Sequence, residues 1–256
     1  MLIESLQNEK IKRLTRLLSK NQDRRKAGVF IVEGQQENER ALHFGNQPEE
    51  YFICETIFKG ILPDSKIHFV SEKIYEKIAY RGTTEGIIGI YKLEQRNLDE
   101  FKPKQDSAII ILESVEKPGN LGAILRSCEA FGINALIVTD TRTDFYNPNV
   151  IRSSVGCLFG MNIFQASNEE TLEFLKINDY NIFTTFMSDD AKPIQEKDLT
   201  AKSAVLFGTE HSGLSDFWKG KGENVLIPMS GTIDSLNLSN AAAITCYEIL
   251  RQKLDK

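Results

Sequence analysis

No stretch of this chain approaches the roughly 18 consecutive apolar residues that a membrane-spanning helix needs, so no membrane span is expected. Cysteine is scarce. Cys54, Cys128, Cys157 and Cys246 are far apart, with no CxxC pair, which removes the clustered ligands of a zinc site and leaves no disulfide framework. All four read as reduced packing residues. His43, His68 and His211 form no metal pair by spacing, and no metal is expected. The chain has neither GxGxxG between a strand and a helix nor the phosphate loop GxxxxGK[ST]. It also offers no serine–histidine–aspartate set, which leaves hydrolysis without support. The N-terminus, MLIESLQNEKIKRL, lacks an apolar signal core and a small-residue cleavage site, so a cytoplasmic location is the expectation.

What remains is an ordinary globular composition. The 256 residues are 41% hydrophobic and 26% charged, enough chain for one large domain or two smaller ones. The net charge of −5 argues mildly against a nucleic-acid binder, but the average hides a patch. Residues 1–30 hold eight basic side chains (Lys10, Lys12, Arg13, Arg16, Lys20, Arg24, Arg25, Lys26) against three acidic ones (Glu4, Glu9, Asp23). Such a segment suits RNA phosphates or, equally, a solvated helix face.

Periodicity divides the chain. Ile11, Leu14, Leu17 and Leu18 mark an amphipathic helix over Asn8–Ser19 with its basic residues outward. Strands follow at GVFIVEG, YFICET, KIHFV and IIGIYKL, with helices at QENERALHFG and SEKIYEKIAY and a turn at RGTTEG. Residues 1–95 thus read as a small α/β domain, and the charged, aperiodic 96–106, with Pro103, as a linker. From 107 to 256 apolar strands alternate with helices: SAIIIL, ALIVT, MNIFQ, NIFTTF, SAVLFG and VLIP. Continuous apolar runs of this kind predict a parallel sheet buried on both faces. The expected fold class is therefore α/β, a mostly parallel sheet covered by helices on both faces, with a smaller N-terminal α/β domain.

Three polar, glycine-bearing loops each follow an apolar strand: KPGNLGAILR (Lys117–Arg126), FGTEHSGLS (Phe207–Ser215) and IPMSGTIDSLNLSN (Ile227–Asn240). In an open parallel sheet ligands bind outside the carboxyl ends of the strands, so these loops predict one composite site. Asn120, Arg126, Glu210, Ser235 and Asn237 are its polar members. Asn120, Ser235 or Asn237 could equally cap helices, and Glu210 could be a surface carboxylate. Arg126, a fixed cation four residues from Gly122, suits a phosphate.

These residues resemble a known family, the SpoU/TrmH-type RNA ribose 2′-O-methyltransferases of the SPOUT class. The motifs are Asn120-Leu-Gly122-Ala-Ile-Leu-Arg126, then Leu206-Phe-Gly208-Thr-Glu210-His-Ser-Gly213-Leu214, then Ile227-Pro-Met229-Ser-Gly231-Thr-Ile-Asp-Ser235-Leu236-Asn237-Leu238-Ser239. Ile151–Phe164 resembles the stretch between the first two. FIVEG at Phe30–Gly34 and TTEGIIGI at Thr83–Ile90 are similar, more loosely, to a ribosomal-protein-like RNA-binding extension.

The resemblance implies a trefoil-knotted SPOUT fold, a homodimer, and S-adenosylmethionine held by positions matching Gly208, Ile227, Met229 and Leu236. It implies that Arg126 is the central catalytic residue, supported by Asn120, Glu210, Ser235 and Asn237. A guanidinium is a permanent cation. The favoured role for Arg126 is therefore to hold the RNA phosphate and stabilise the developing alkoxide, with the proton leaving late to water or Glu210. RNA, most simply ribosomal RNA, is the expected partner, with Lys10, Lys12, Arg13, Arg16, Arg24 and Arg25 as its contacts. The alternatives are a transfer-RNA 2′-O-methyltransferase, a base methyltransferase of the same fold, and a non-catalytic RNA-binding protein on the same scaffold.

Overall fold

A computed structural model describes residues 2–62, 64–80, 85–94, 96–140 and 143–255. The RGTTEG turn expected from sequence lies largely outside these residues. The chain forms two compact units, Met1–Gln95 with Asp144–Gly160, and Arg96–Thr143 with Met161–Lys256.

In the first unit the chain runs through β1 (Leu2–Ile3), α1 (Glu9–Ser19), α2 (Asn21–Ala27), β2 (Val29–Glu33), α3 (Gln35–His43), β3 (Pro48–Ile53), β4 (Ile67–Val70), α4 (Glu72–Ile78) and β5 (Ile87–Lys92). Its five strands lie in the order β1-β4-β3-β5-β2, with β1 and β3 parallel to β4 and the β3–β5 and β5–β2 pairs antiparallel. Asn8 starts α1 by accepting from the Lys10 amide at 3.0 Å. The helix then buries Ile11, Leu14 and Leu17 against Val29, Ile31, Phe52, Tyr75 and Ile88. That is the amphipathic face its spacing predicted. On β5, Gly89 is obligatory, because a Cβ there would fall 2.4 Å from Asn38 Oδ1 and 2.6 Å from the Tyr91 ring. The space it leaves holds the Tyr51–Tyr91 hydroxyl pair at 2.9 Å, with Tyr91 donating to Asn38 Oδ1 at 2.9 Å.

The second unit is built on β6 (Ala108–Glu113), α5 (Pro118–Ala130) and β7 (Ala135–Thr139). The chain then enters α6 (Pro148–Ser153), which belongs to the first unit. It continues in the second with β8 (Asn162–Ala166), α7 (Asn168–Ile177), β9 (Asn181–Thr184), β10 (Lys192–Pro193), β11 (Ser203–Phe207), β12 (Glu223–Leu226) and α8 (Leu238–Leu254). The seven strands are parallel throughout, in the order β10-β12-β9-β11-β6-β7-β8. Every residue of β6, β7 and β11 is buried. Side chains alternate along a strand. Ile109, Ile111, Ile137, Ala204 and Leu206 meet Leu172, Leu175 and Trp218 on one face. The intervening positions face the other way. The expected mostly parallel α/β sheet is what folds, apart from two short strands, β1 and β10, too brief to leave a periodic signal.

Two segments pack differently from their sequence reading. Residues 96–106, read as a linker, bring Leu98 and Phe101 onto the second unit's core, with the Phe101 ring 5.6 Å from Phe164 and 6.2 Å from Phe174. Asp144–Gly160, read with the C-terminal domain, clusters in the first unit instead. There Asp144 pairs with Arg24, Arg40 donates to the Val155 carbonyl at 2.8 Å, and Phe30 meets the Tyr146 and Phe159 rings at 4.7 and 5.6 Å. A charge pair and an aromatic cluster, both built from residues far apart in sequence, decide its place.

Candidate active site

The three loops leave the carboxyl ends of β6, β11 and β12 in one parallel sheet. The first leads into α5, whose opening turn carries Pro118 where a missing amide proton costs nothing. Helix α5 therefore begins before Asn120, which is not its cap. The Asn120 side chain is free to project, and its Nδ2 donates to Glu210 Oε1 on the second loop.

The third loop ends at Asn237, which does two jobs. Its Oδ1 caps α8, accepting from the Ser239 amide at 2.9 Å and the Ser239 hydroxyl at 2.6 Å, while its Nδ2 reaches Asn120 Oδ1 at 3.4 Å. Asn120, Glu210 and Asn237 thus form one chain of hydrogen bonds across three loops. Lys117 adds a cation 3.8 Å from Glu210.

Arg126 lies two turns further along α5. Leu121, Ile124, Leu125 and Cys128 bury the inner face of that helix and leave Arg126 exposed. Among the described residues its guanidinium has no hydrogen-bond or ion-pair partner, so it is open to an anionic ligand. Ser235 is likewise exposed and unpaired among them, and the structure does not join either residue to the Asn120 network.

The second loop is held by its own turn. Thr209 and Gly213 exchange backbone hydrogen bonds at 3.1 Å, and the Thr209 hydroxyl accepts from the Ser212 amide at 2.9 Å. A Cβ on Gly208 would sit 1.9 Å from the Gly213 carbonyl carbon and 2.1 Å from the Leu214 nitrogen. Only glycine fits, because the backbone of Gly213 and Leu214 closes directly onto it.

Sequence reasoning missed Glu113, which anchors this loop. It ends β6, is only 4% exposed, and accepts from the Ser215 amide and hydroxyl, each at 2.7 Å, and from Asn168 Nδ2 at 2.6 Å. Asn168 in turn accepts from the Trp218 indole at 3.2 Å. The signal was present as one carboxylate closing the apolar run AIIILE.

The third loop has a different character. From Pro228 to Leu236 no backbone group is hydrogen-bonded among the described residues; Met229 is exposed, and Ile227 and Leu236 are half-buried. The stretch is mostly exposed, so its backbone donors and acceptors face solvent and are open to a ligand with polar edges. The loop returns to the sheet through α8, which packs on α5. There Cys128 and Cys246 lie 3.9 Å apart as free thiols, and the Phe131 and Tyr247 rings meet at 5.8 Å. The hydrogen bond with Cys246, with burial, pushes the Cys128 thiol well up, so Cys128 is an inert packing group.

The basic N-terminal residues separate sharply. Arg24 is 4% exposed and spent on Asp144 at 2.6 Å and on the Leu17 carbonyl at 2.8 Å, so the expectation that it contacts RNA is withdrawn. A side chain that desolvates its charge in an internal ion pair has none to offer outside. Arg13 is engaged by Glu50 and Glu49, Lys10 by His68 Nδ1 at 3.2 Å, and Lys12 by Glu9 at 2.9 Å. Arg16 is exposed within Coulombic reach of Glu9, and Arg25 is exposed and unpaired among the described residues.

The profile of the SpoU rRNA Methylase family matches residues 107–247, which include all three loops. The chain belongs to that family. An MRM3-like substrate binding domain matches residues 8–89. The chain is 25% identical over 250 residues to the 23S rRNA (guanosine(2553)-2′-O)-methyltransferase RlmP of Bacillus subtilis, covering 96% of this chain and 98% of that one. It is 32% identical over 187 residues to the 23S rRNA (guanosine-2′-O-)-methyltransferase RlmB of Acinetobacter baylyi, covering 70% and 75%. A solved RNA 2′-O ribose methyltransferase superposes with a TM-score of 0.86 at 36% identity, over 99% of this chain and 100% of that one. The S-adenosylmethionine-bound rRNA methyltransferase of Sinorhizobium meliloti, at 24% identity, shares the fold with a TM-score of 0.88 over 98% and 97%. The SpoU resemblance read from the motifs is borne out.

Proposed function

We propose that this SpoU-family chain is an S-adenosylmethionine-dependent RNA methyltransferase that modifies a ribose 2′-hydroxyl, with ribosomal RNA as its substrate. The observation that carries the reading is the Asn120–Glu210–Asn237 network, which joins one polar member of each family motif at a single sheet edge. The fit to the cofactor rests on the exposed, unpaired backbone run from Pro228 to Leu236. Gly208, Ile227, Met229 and Leu236 would hold its adenosine. S-adenosylmethionine supplies a methyl group on a positively charged sulfur, which a nucleophilic oxygen displaces.

The protein's own part is to bring up and activate that oxygen. Arg126, unpaired among the described residues and permanently charged, holds the neighbouring phosphate and stabilises the charge developing on the 2′-oxygen. Asn120 occupies Glu210 Oε1, which turns the carboxylate and leaves Oε2 to accept the hydroxyl proton. Ser235, on the third loop, is an exposed hydroxyl for orienting the ribose. The strand order, with β12 beyond β9 while α8 returns to α5, supports the threaded C-terminus that the family implies.

A homodimer belongs to the same reading. On α8, Ile249 is core, but Ile244 is 42% exposed and Tyr247 54% exposed, an apolar pair suited to a second copy. Sedimentation of Ile244→Glu reads this directly, and an unchanged dimer removes that face. An enzyme acting on ribosomal RNA works where that RNA is made and assembled, so a cytoplasmic location is part of the proposal.

The deciding experiment maps 2′-O-methyl sites in ribosomal RNA from cells with and without this protein. One missing site on deletion, restored by the wild-type chain but not by Arg126→Ala, is expected. An unchanged map, with no methyl transfer to ribosomal RNA by the purified protein, sinks the reading.

A further inference from the structure

Helix α8 begins at an oxygen that is held twice. Asn237 Oδ1 accepts from the Ser239 amide at 2.9 Å and from the Ser239 hydroxyl at 2.6 Å. A side-chain amide can turn over and exchange its oxygen for its nitrogen, and the two ends are told apart by the groups they meet. Here a backbone N–H decides, because it donates and never accepts. The end of Asn237 that faces Ser239 must be oxygen, so the end that faces Asn120 must be nitrogen. Asn237 Nδ2 donates to Asn120 Oδ1 at 3.4 Å, and Asn120 is then obliged to present its own Nδ2 to Glu210 Oε1. One fixed donor at the start of α8 sets the direction of every hydrogen bond across the three loops.

We infer that Ser239 is a positioning residue for the reaction: from the amino end of α8 it directs the Asn237 and Asn120 amides so that Glu210 Oε1 meets only donors. The inference rests on the reading of the protein as an RNA 2′-O-methyltransferase in which Glu210 takes the hydroxyl proton.

The direction matters to the chemistry. Were Asn120 turned over, its Oδ1 would face Glu210 Oε1, and two acceptors would meet. The carboxyl could then settle only by carrying a proton between them, and a protonated carboxyl cannot take the proton of a ribose hydroxyl. In the observed direction Oε1 receives Asn120, and Lys117, the other group beside it at 3.8 Å, is a donor as well. Oε2 is left to accept. Side-chain amides pass no proton onward, so the chain orients the carboxylate and does not conduct, and the proton leaves Oε2 for water. Within this arrangement the backbone amide forbids the wrong orientation of Asn237, and the Ser239 hydroxyl holds the right one. With a single donor the Asn237 side chain would swing about it, and its bond to Asn120 is already the longest of the chain.

The test uses the full chain, first without turnover. With asparagine labelled in its side-chain nitrogen, the Asn120 amide, assigned by its loss in Asn120→Asp, should show one proton shifted downfield and protected from exchange by the Glu210 carboxylate. Asn237→Asp keeps an oxygen for Ser239 but turns a second oxygen towards Asn120, so Asn120 should turn over and that proton should lose both its shift and its protection. Persistence of the signal in Asn237→Asp overturns the directed chain, as does its absence from the unaltered protein. Kinetics then test the role in the reaction. Ser239→Ala should lower kcat for methyl transfer to ribosomal RNA about tenfold, the worth of one hydrogen bond, with KM for the RNA and affinity for S-adenosylmethionine unchanged. Ser239→Thr, which keeps the hydroxyl, should restore most of the rate. An unaltered kcat in Ser239→Ala overturns the inference, and so does an equal loss in Ser239→Thr, which would mark a packing position. Absence of methyl transfer by the unaltered protein sinks the enzymatic reading, and with it the role of Ser239 in the reaction, while the amide resonance still decides the direction of the chain.

Discussion

Glu113 grips Ser215 twice, through the amide and the hydroxyl at 2.7 Å each, across 102 residues of sequence. That grip fixes where the Gly208–Gly213 turn ends, and so where Glu210 stands. Glu113→Gln replaces one acceptor oxygen by a donor that faces Ser215 or Asn168. Leaving buried polar groups mispaired costs about 1–3 kcal/mol. Thermal unfolding should drop by several degrees, and the rate of methyl transfer should fall more than affinity for the cofactor. A variant with wild-type melting and wild-type turnover would show that Glu113 does not position the loop.

Gly208 tolerates no side chain, since an added Cβ would lie 1.9 Å from a backbone carbon. Gly208→Ala must push the turn apart, at roughly 1–3 kcal/mol for overpacking. Calorimetry should find the protein less stable and its S-adenosylmethionine binding weakened together. Weakened stability with full cofactor affinity would remove Gly208 from the pocket.

Arg126 acts by charge in the proposed mechanism, and losing one donor to a developing oxyanion costs on the order of 10²–10³ in rate. Arg126→Ala should lose about that much, Arg126→Lys less, and both should bind the cofactor normally. Equal inactivity of the two variants would argue against a purely electrostatic role.

Arg24 is expected to matter for folding. Breaking its internal pair with Asp144 by Arg24→Ala should cost about 3–5 kcal/mol, because the partner carboxylate is left without its cation. Arg25→Ala, one residue on and exposed, should cost within about 0.5 kcal/mol. Chemical denaturation of both variants decides, and equal stabilities would refute the assignment.

Glu50 and Glu37 pull acid stability in opposite directions. Burial works to raise the Glu50 carboxyl, but the His68 hydrogen bond, Lys66 and Arg13 outweigh it and hold it below the ordinary range. Its contribution is present above the unfolded carboxyl value of about 4.3 and is lost as pH falls through the lower folded value. Burial dominates at Glu37 and raises it, so its contribution is full below about 4.3 and is lost as pH rises through the folded value. Unfolding measured from neutral pH down through the carboxylate range should show a steep acid loss that Glu50→Gln flattens. If the acid limb is the same in that variant, Glu50 does not drive it.

Much of this was legible in one dimension because it depends on local spacing. The period of Ile11, Leu14 and Leu17 fixes a helix face, and the apolar runs of β6, β7 and β11 require burial on both sides. Three motifs in order named the family, and their positions after strands placed them on one sheet edge. Charge was less legible. Arg13, Arg16 and Arg24 look alike in a string of letters, yet folding pairs the first, leaves the second exposed and buries the third.

The chain's own letters therefore determined the α/β architecture, the parallel sheet and the loops that carry the chemistry, since these follow from periodicity and backbone rules. Tertiary structure alone decided that Asn120 meets Glu210 and Asn237, 90 and 117 residues away, and that Asp144–Gly160 packs in the first unit. The physical reason is that a polar side chain's role is set by the partner folding places within hydrogen-bond reach. That distance is a property of the packed sheet and helices, and no local pattern encodes it.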